Sequence, residues 1–136
     1  MDICDKLIDL RIALTTACDG FSKESGNKNS LLSSKIKVLY LLSERDMMPI
    51  ELISSLGVAK SNLANLSKQL IEEGFVESYK TFDNLRNVYY RITKSGRQEL
   101  QNYKCSLEKL FCCKFEREIP ELEMCIDKIL SILKRD

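Results

Sequence analysis

The chain has 136 residues, 44% of them hydrophobic and 30% charged, which fits one globular domain with enough chain to bury a core. No apolar run approaches the ~20 residues that span a bilayer, and Asp2 and Asp5 precede any basic residue, so neither a membrane segment nor a secretory leader is expected and the protein is read as cytoplasmic. With no histidine and no Cys-x-x-Cys among six cysteines, a zinc site of the usual spacing is excluded, and no metal or cofactor is expected.

In chain order, Ile3, Leu7, Leu10, Leu14, Ala17 and Phe21 recur at alternating spacings of four and three, the apolar row of an amphipathic helix over about 2–21. Asp19-Gly20 is expected to end it, and Gly26-Asn27-Lys28-Asn29-Ser30 reads as a polar loop. Ser33 or Ser34 offers a cap for a second helix that carries Ile36, Leu39, Tyr40 and Leu42 and closes at Glu44-Arg45-Asp46. Pro49 suits the first turn of a helix, where its missing N–H costs nothing. It opens a short apolar helix of Ile50, Leu52, Ile53 and Leu56, and Gly57 makes the turn.

The next helix spans about 60–73. Leu63, Leu66 and Leu70 form its buried stripe, and at 100° per residue Ser61, Asn65 and Lys68 fall in a narrow arc opposite, flanked by Asn62 and Gln69. Gly74 supplies a left-handed cap. Segments 75–80 and 87–92 read as strands, with Val88, Tyr90 and Ile92 on one face of the second, joined through Thr81-Phe82-Asp83-Asn84-Leu85-Arg86. Thr93 caps a helix with Leu100, Tyr103, Leu107, Leu110 and Phe111. Glu118-Ile119-Pro120 marks a break before a last helix with Leu122, Ile126, Ile129 and Leu133. Neither end helix buries its apolar row alone, so the two ends are expected to pack together across a two-fold axis with a second copy.

The order of these pieces resembles the MarR family of transcription regulators over about 32–100. The carrying motifs are Pro49-Ile50-Glu51-Leu52-Ile53-Ser54-Ser55-Leu56-Gly57-Val58, Lys60-Ser61-Asn62-Leu63, Leu70-Ile71-Glu72-Glu73-Gly74-Phe75-Val76, then Arg86 and Ile92-Thr93-Lys94-Ser95-Gly96. The resemblance implies a mainly α fold, a winged helix-turn-helix with a two-stranded β-wing, flanked by N- and C-terminal dimerisation helices. One domain would cover 1–136, with the DNA-binding core at 31–97 and the dimerisation region at 1–22 and 98–136. It further implies a homodimeric repressor on a pseudo-palindromic duplex, released by a small ligand, often an aromatic anion, or by an oxidant. Two departures stand out. Ala59 replaces the family's usual Ser or Thr cap. Asn84 occupies the place of a wing-tip Asp beside Arg86.

For DNA, Ser61, Asn62, Asn65 and Lys68 are the candidates for the major groove, because Asn pairs with adenine through two hydrogen bonds and Ser reaches a base edge or a phosphate. Lys60 starts that helix. Arg86 is the candidate for the minor groove, and Lys35 and Lys80 for phosphates. The net charge is only +1, but residues 60–97 hold seven basic and four acidic side chains, while 1–59 and 98–136 each hold seven and eight. The positive excess therefore sits where phosphates would lie.

A redox sensor would be drawn from Cys4, Cys18, Cys112 and Cys113, but no tyrosine lies near Cys4 or Cys18 in sequence, and the weightier reading is reduced, partly buried packing residues. Tyr79, Tyr89, Tyr90, Phe111 and Phe115 likewise read as core. No catalytic constellation is present: no Gly-x-Ser-x-Gly and no glycine loop for phosphates, so an enzyme is not expected. The competing reading is a winged-helix protein–protein module, an anti-repressor or adaptor that has lost DNA binding. The small net charge and the weakened cap and wing motifs lean that way.

Overall fold

The computed structural model describes residues 2–25 and 34–135, the side chains of 18–25 excepted. The order is α1 Ile3–Ser25, α2 Ser34–Glu44, α3 Pro49–Leu56, α4 Lys60–Glu72, β1 Val76–Lys80, β2 Val88–Ile92, α5 Lys94–Phe115, a 3-10 turn at Glu116–Glu118 and α6 Ile119–Leu133. The expected mainly helical winged helix is present. The 26–30 loop and Ser33 lie outside the described residues, and Ser34 is the first residue of α2. The first helix does not stop at Gly20 but continues to Ser25. One glycine costs an isolated helix only about 1 kcal/mol, too little to end a helix unaided.

The core is built by the central module. Ile36, Val38, Leu39 and Leu42 of α2 meet Leu52, Leu63, Leu70, Val76, Ile92, Leu100 and Tyr103, with Met47 from the α2–α3 connection. Tyr40, expected in this stripe, faces out, and Val38 takes the buried position. In α4 the most buried residues are Leu63, Ser67 and Leu70, with Leu66 only half-buried. Ser67 sits four residues after Leu63 and three before Leu70, and a serine there is small enough to let α4 close on the core.

The turns follow the local sequence. Gly57 adopts φ 67°, ψ 29°, and its N–H donates to Ile53 O at 2.8 Å, closing α3. Gly74 has φ 81°. Its N–H donates to Ile71 O and that of Phe75 to Leu70 O, each at 3.0 Å, the paired bonds of a Schellman ending. Thr93 serves both sides of the next junction. Its Oγ1 accepts from Gly96 N–H at 3.1 Å, capping α5, and donates to Gly74 O at 2.6 Å. Gly96 is required by proximity: a Cβ there would run into Phe75 O and stand 2.7 Å from Ile92 Cγ1.

β1 and β2 pair antiparallel from Val76 opposite Ile92 to Lys80 opposite Val88. Met47 adds a one-residue bridge to Tyr90, with bonds of 3.2 and 2.8 Å. α1 and α6 each lie against α5. Their apolar rows stay largely bare in the single chain: Ile3, Leu7, Leu10 and Leu14 on α1, and Leu122, Ile126, Ile129 and Leu133 on α6, are all exposed. No described helix is long and apolar enough to cross a membrane.

Candidate nucleic-acid interface

α4 is turned outward by its own apolar spacing. Leu63 and Leu70 fix one side in the core, which leaves Lys60, Ser61, Asn62, Ala64, Asn65 and Lys68 exposed on the other. The five polar positions named from sequence on this helix therefore share one accessible face. Ala64 belongs to it as well and was missed, because a small residue gives no polar signal. Gln69, at the edge of the arc, donates to Glu73 Oε1 at 3.0 Å.

The N-terminus of α4 lacks a side-chain cap. Ala59 holds the extended φ −69°, ψ 147° of a capping residue, and Leu63 N–H donates to its carbonyl at 3.0 Å, but no side-chain oxygen is present. The first N–H groups of the helix are thus left for other acceptors, the arrangement that favours a phosphate.

The wing stands beside this end of α4. Lys60, Leu63 and Ala64 from α4, Met48, Pro49, Ile50 and Ile53 from the α3 region, and Arg86, Asn87, Val88 and Tyr90 from the wing border one cavity of about 510 Å³. Its lining is mostly apolar, and two of the residues that border it, Lys60 and Arg86, are cationic. Sequence reasoning singled out no pocket, since its wing wall, 86–90, is distant in the chain from the 48–64 segment that it faces.

The wing's base is held firmly. Tyr79 O–H donates to Asp46 Oδ2 at 2.6 Å, which raises the Tyr79 pKa above its ordinary value. Tyr79 and Tyr89, directly opposite in register, stack at 5.6 Å, and the Arg91 guanidinium lies 4.8 Å from the Tyr79 ring. Arg91 Nε is also 2.7 Å from Glu77 Oε1, so this arginine is committed within the wing. At the tip, Asn84 Oδ1 accepts from the Arg86 backbone N–H at 3.2 Å. Asn84 thus orders the main chain at Arg86 rather than the guanidinium.

Among the described residues, Lys60, Lys68, Lys80 and Arg86 make no ion pair with the protein. Lys35 differs from expectation. Its Nζ is 2.9 Å from Glu73 Oε2 and 4.7 Å from the Phe75 ring centroid, and its side chain is only 15% exposed. That ion pair lowers the Glu73 pKa. An ammonium so placed ties the start of α2 to the end of α4 and is not free to meet a phosphate.

The cysteine expectation also changes. Cys4, Cys112 and Cys113, with Cys105 and Cys125, are exposed rather than partly buried, because the helices that carry them have no cover in the single chain. The Cys18 side chain lies outside the described ones. Of the aromatics, Phe115 is exposed and Phe111 half-buried, their rings 5.5 Å apart.

Comparison with known proteins agrees with this geometry. A model described as winged helix DNA-binding domain matches residues 32–111. The chain belongs to that family. The winged-helix chain is 37% identical over 43 residues to the HTH-type transcriptional regulator PchR of Bacillus subtilis, a match covering 32% of this chain and 25% of that protein. It thus spans about a quarter of the length of that curated relative. Its fold is that of MarR: apo MarR from E. coli superposes with a TM-score of 0.74 over 96% of this chain and 97% of the other, at 18% identity. BpsR of Bordetella bronchiseptica, whose structure is described as regulated in DNA binding by 6-hydroxynicotinic acid, gives 0.69 over 93% and 91%, at 16% identity. PchR, the relative matched by sequence, is a transcriptional regulator.

Proposed function

We propose that the chain is a cytoplasmic homodimeric repressor that binds a pseudo-palindromic duplex and lets go of it on binding a small acidic aromatic ligand. The reading rests on one observation above others: α4 bares a polar face, and Lys60 at the start of that face lines the same cleft as the unpaired Arg86 of the wing. Ser61, Asn62 and Asn65 read base edges in the major groove, Lys60 and Lys68 meet the backbone at either end of that face, and Arg86 and Lys80 anchor the wing. The bare apolar rows of α1 and α6 support pairing with a second copy, which sets the two α4 helices roughly 34–36 Å apart for successive major grooves. The cavity supports the ligand step. A carboxylate held between Lys60 and Arg86 would neutralise two groups that otherwise face phosphate, and ligand and DNA would exclude each other.

The test is selection of bound duplex from a random pool, followed by titration at two salt concentrations. Affinity is expected to fall steeply with salt. Asn65→Ala is expected to cost about 1–3 kcal/mol on the selected site. Recovery of no sequence, with no binding at either salt, would remove the regulator reading and leave the protein–protein module.

A further inference from the structure

The wing tip carries a feature that phosphate anchoring does not use. Phe82 is 101% exposed and Leu85 67% exposed, on a loop otherwise built of polar residues. Asn84 N–H donates to Thr81 O at 3.3 Å, so Phe82 occupies the first corner of a hydrogen-bonded turn, with its ring fully exposed on the wing loop. The tip is not loose: the Asn84–Arg86 bond orders its far side, and Tyr79–Asp46 and Met47–Tyr90 fix its base. Lys80 precedes the loop and Arg86 ends it, both without an ion pair among the described residues. A projecting phenyl on a stiff hairpin, bracketed by two available cations, has the build of a wedge that enters a charged groove.

We propose that Phe82 inserts between base pairs from the minor groove when the wing docks, partly unstacking one step and kinking the duplex. This inference rests on the DNA-binding reading above. The minor groove is about 6 Å wide, and it admits a hairpin corner with one ring more readily than a helix. Apolar side chains used in this way open a step at a cost of a few kcal/mol and bend DNA toward the major groove. Pyrimidine–purine steps unstack most easily, so the wing selects TA or CA/TG steps without a hydrogen bond to any base. Lys80 and Arg86 hold the flanking phosphates while the ring enters. Leu85, three residues on, adds apolar surface at the same tip.

The experiment uses the full chain and duplexes that it selects from a random pool. Permanganate, which oxidises unstacked thymines, is applied to the complex, and bending is read from circularly permuted fragments. Wild type is expected to give a reactive thymine at a fixed offset outside each major-groove half-site, together with a bend. Phe82→Ala is expected to abolish both and to weaken binding about tenfold or more, as loss of one stacked ring does. Phe82→Leu is expected to keep the bend. Because no charge is removed, the salt slope of Phe82→Ala stays that of wild type, whereas Arg86→Ala lowers it by about one. If wild type binds with a normal salt slope and Phe82→Ala matches it in affinity, bend and thymine reactivity, the wedge is overturned and the regulator reading stands. If wild type binds no duplex, both fall together. If Phe82→Ala instead alters the oligomeric state at equal salt, the ring contacts a second chain and the wedge is overturned.

Discussion

Ala59→Ser is expected to stabilise the protein. Ala59 already holds the backbone of a capping residue, at φ −69° and ψ 147°, with its carbonyl accepting from Leu63 N–H at 3.0 Å. Only a side-chain acceptor is missing, and the exposed position leaves room for a hydroxyl. Serine would accept from the N–H of Ser61 or Asn62 with no movement of the main chain. Such a cap is worth about 1 kcal/mol, close to a fivefold change in the folding equilibrium. For a domain of this length that is a rise in Tm of about 3–5 °C. The assay is urea and thermal unfolding at one fixed protein concentration, since the proposed dimerisation would make both depend on it. Ala59→Val, which offers no acceptor, serves as the control and is expected to give no gain. A serine variant no more stable than the valine one would show that α4 does not begin where its geometry says, and the placement of Ser61 and Asn62 on the outer face would fall with it.

Gly96→Ala is expected to destabilise by about 1–3 kcal/mol, since the added methyl meets the Phe75 carbonyl, main chain that has little room to yield. Urea unfolding measures it, and an unchanged midpoint would mean that α5 and the α4–β1 turn are less closely apposed. Glu73 has its pKa lowered chiefly by the bond from Lys35, so its contribution is fully present above the ordinary carboxylate value and is lost as pH falls below that value and through the lowered one of the folded state. Glu73→Gln is therefore expected to flatten the acid limb of a stability–pH curve. A limb identical to wild type would show that the Lys35–Glu73 pair contributes nothing in solution.

What the sequence disclosed depended on how local the cause was. Gly57, Gly74 and Pro49 act within a few residues of themselves, as does Thr93 in capping α5, and each turn or cap falls where its residue type requires. The outer face of α4 was legible because Leu63 and Leu70 fix its rotation. Leu66 was overvalued as a leucine, and Ser67, polar yet buried, gave no apolar signal. Lys35 was misplaced because its partner Glu73 lies 38 residues away, and no local rule reports that pairing. The cavity escaped notice for the same reason. Phe82 was visible as a loop residue, but nothing in its neighbours said that it would find no cover.

The uneven fastening of α4 has a mechanical consequence. Its far end is gripped through Gly74, Phe75, Thr93 and the Lys35–Glu73 pair, whereas its near end is uncapped and borders a hollow. A helix of 13 residues is a lever about 20 Å long. Pivoted at the gripped end, a tilt of roughly 5° carries Lys60 and Ser61 through about 1.7 Å, more than half the length of a hydrogen bond. On the reading proposed above, a guest no larger than a single ring, lodged in that hollow, would act on the very residues set against the duplex.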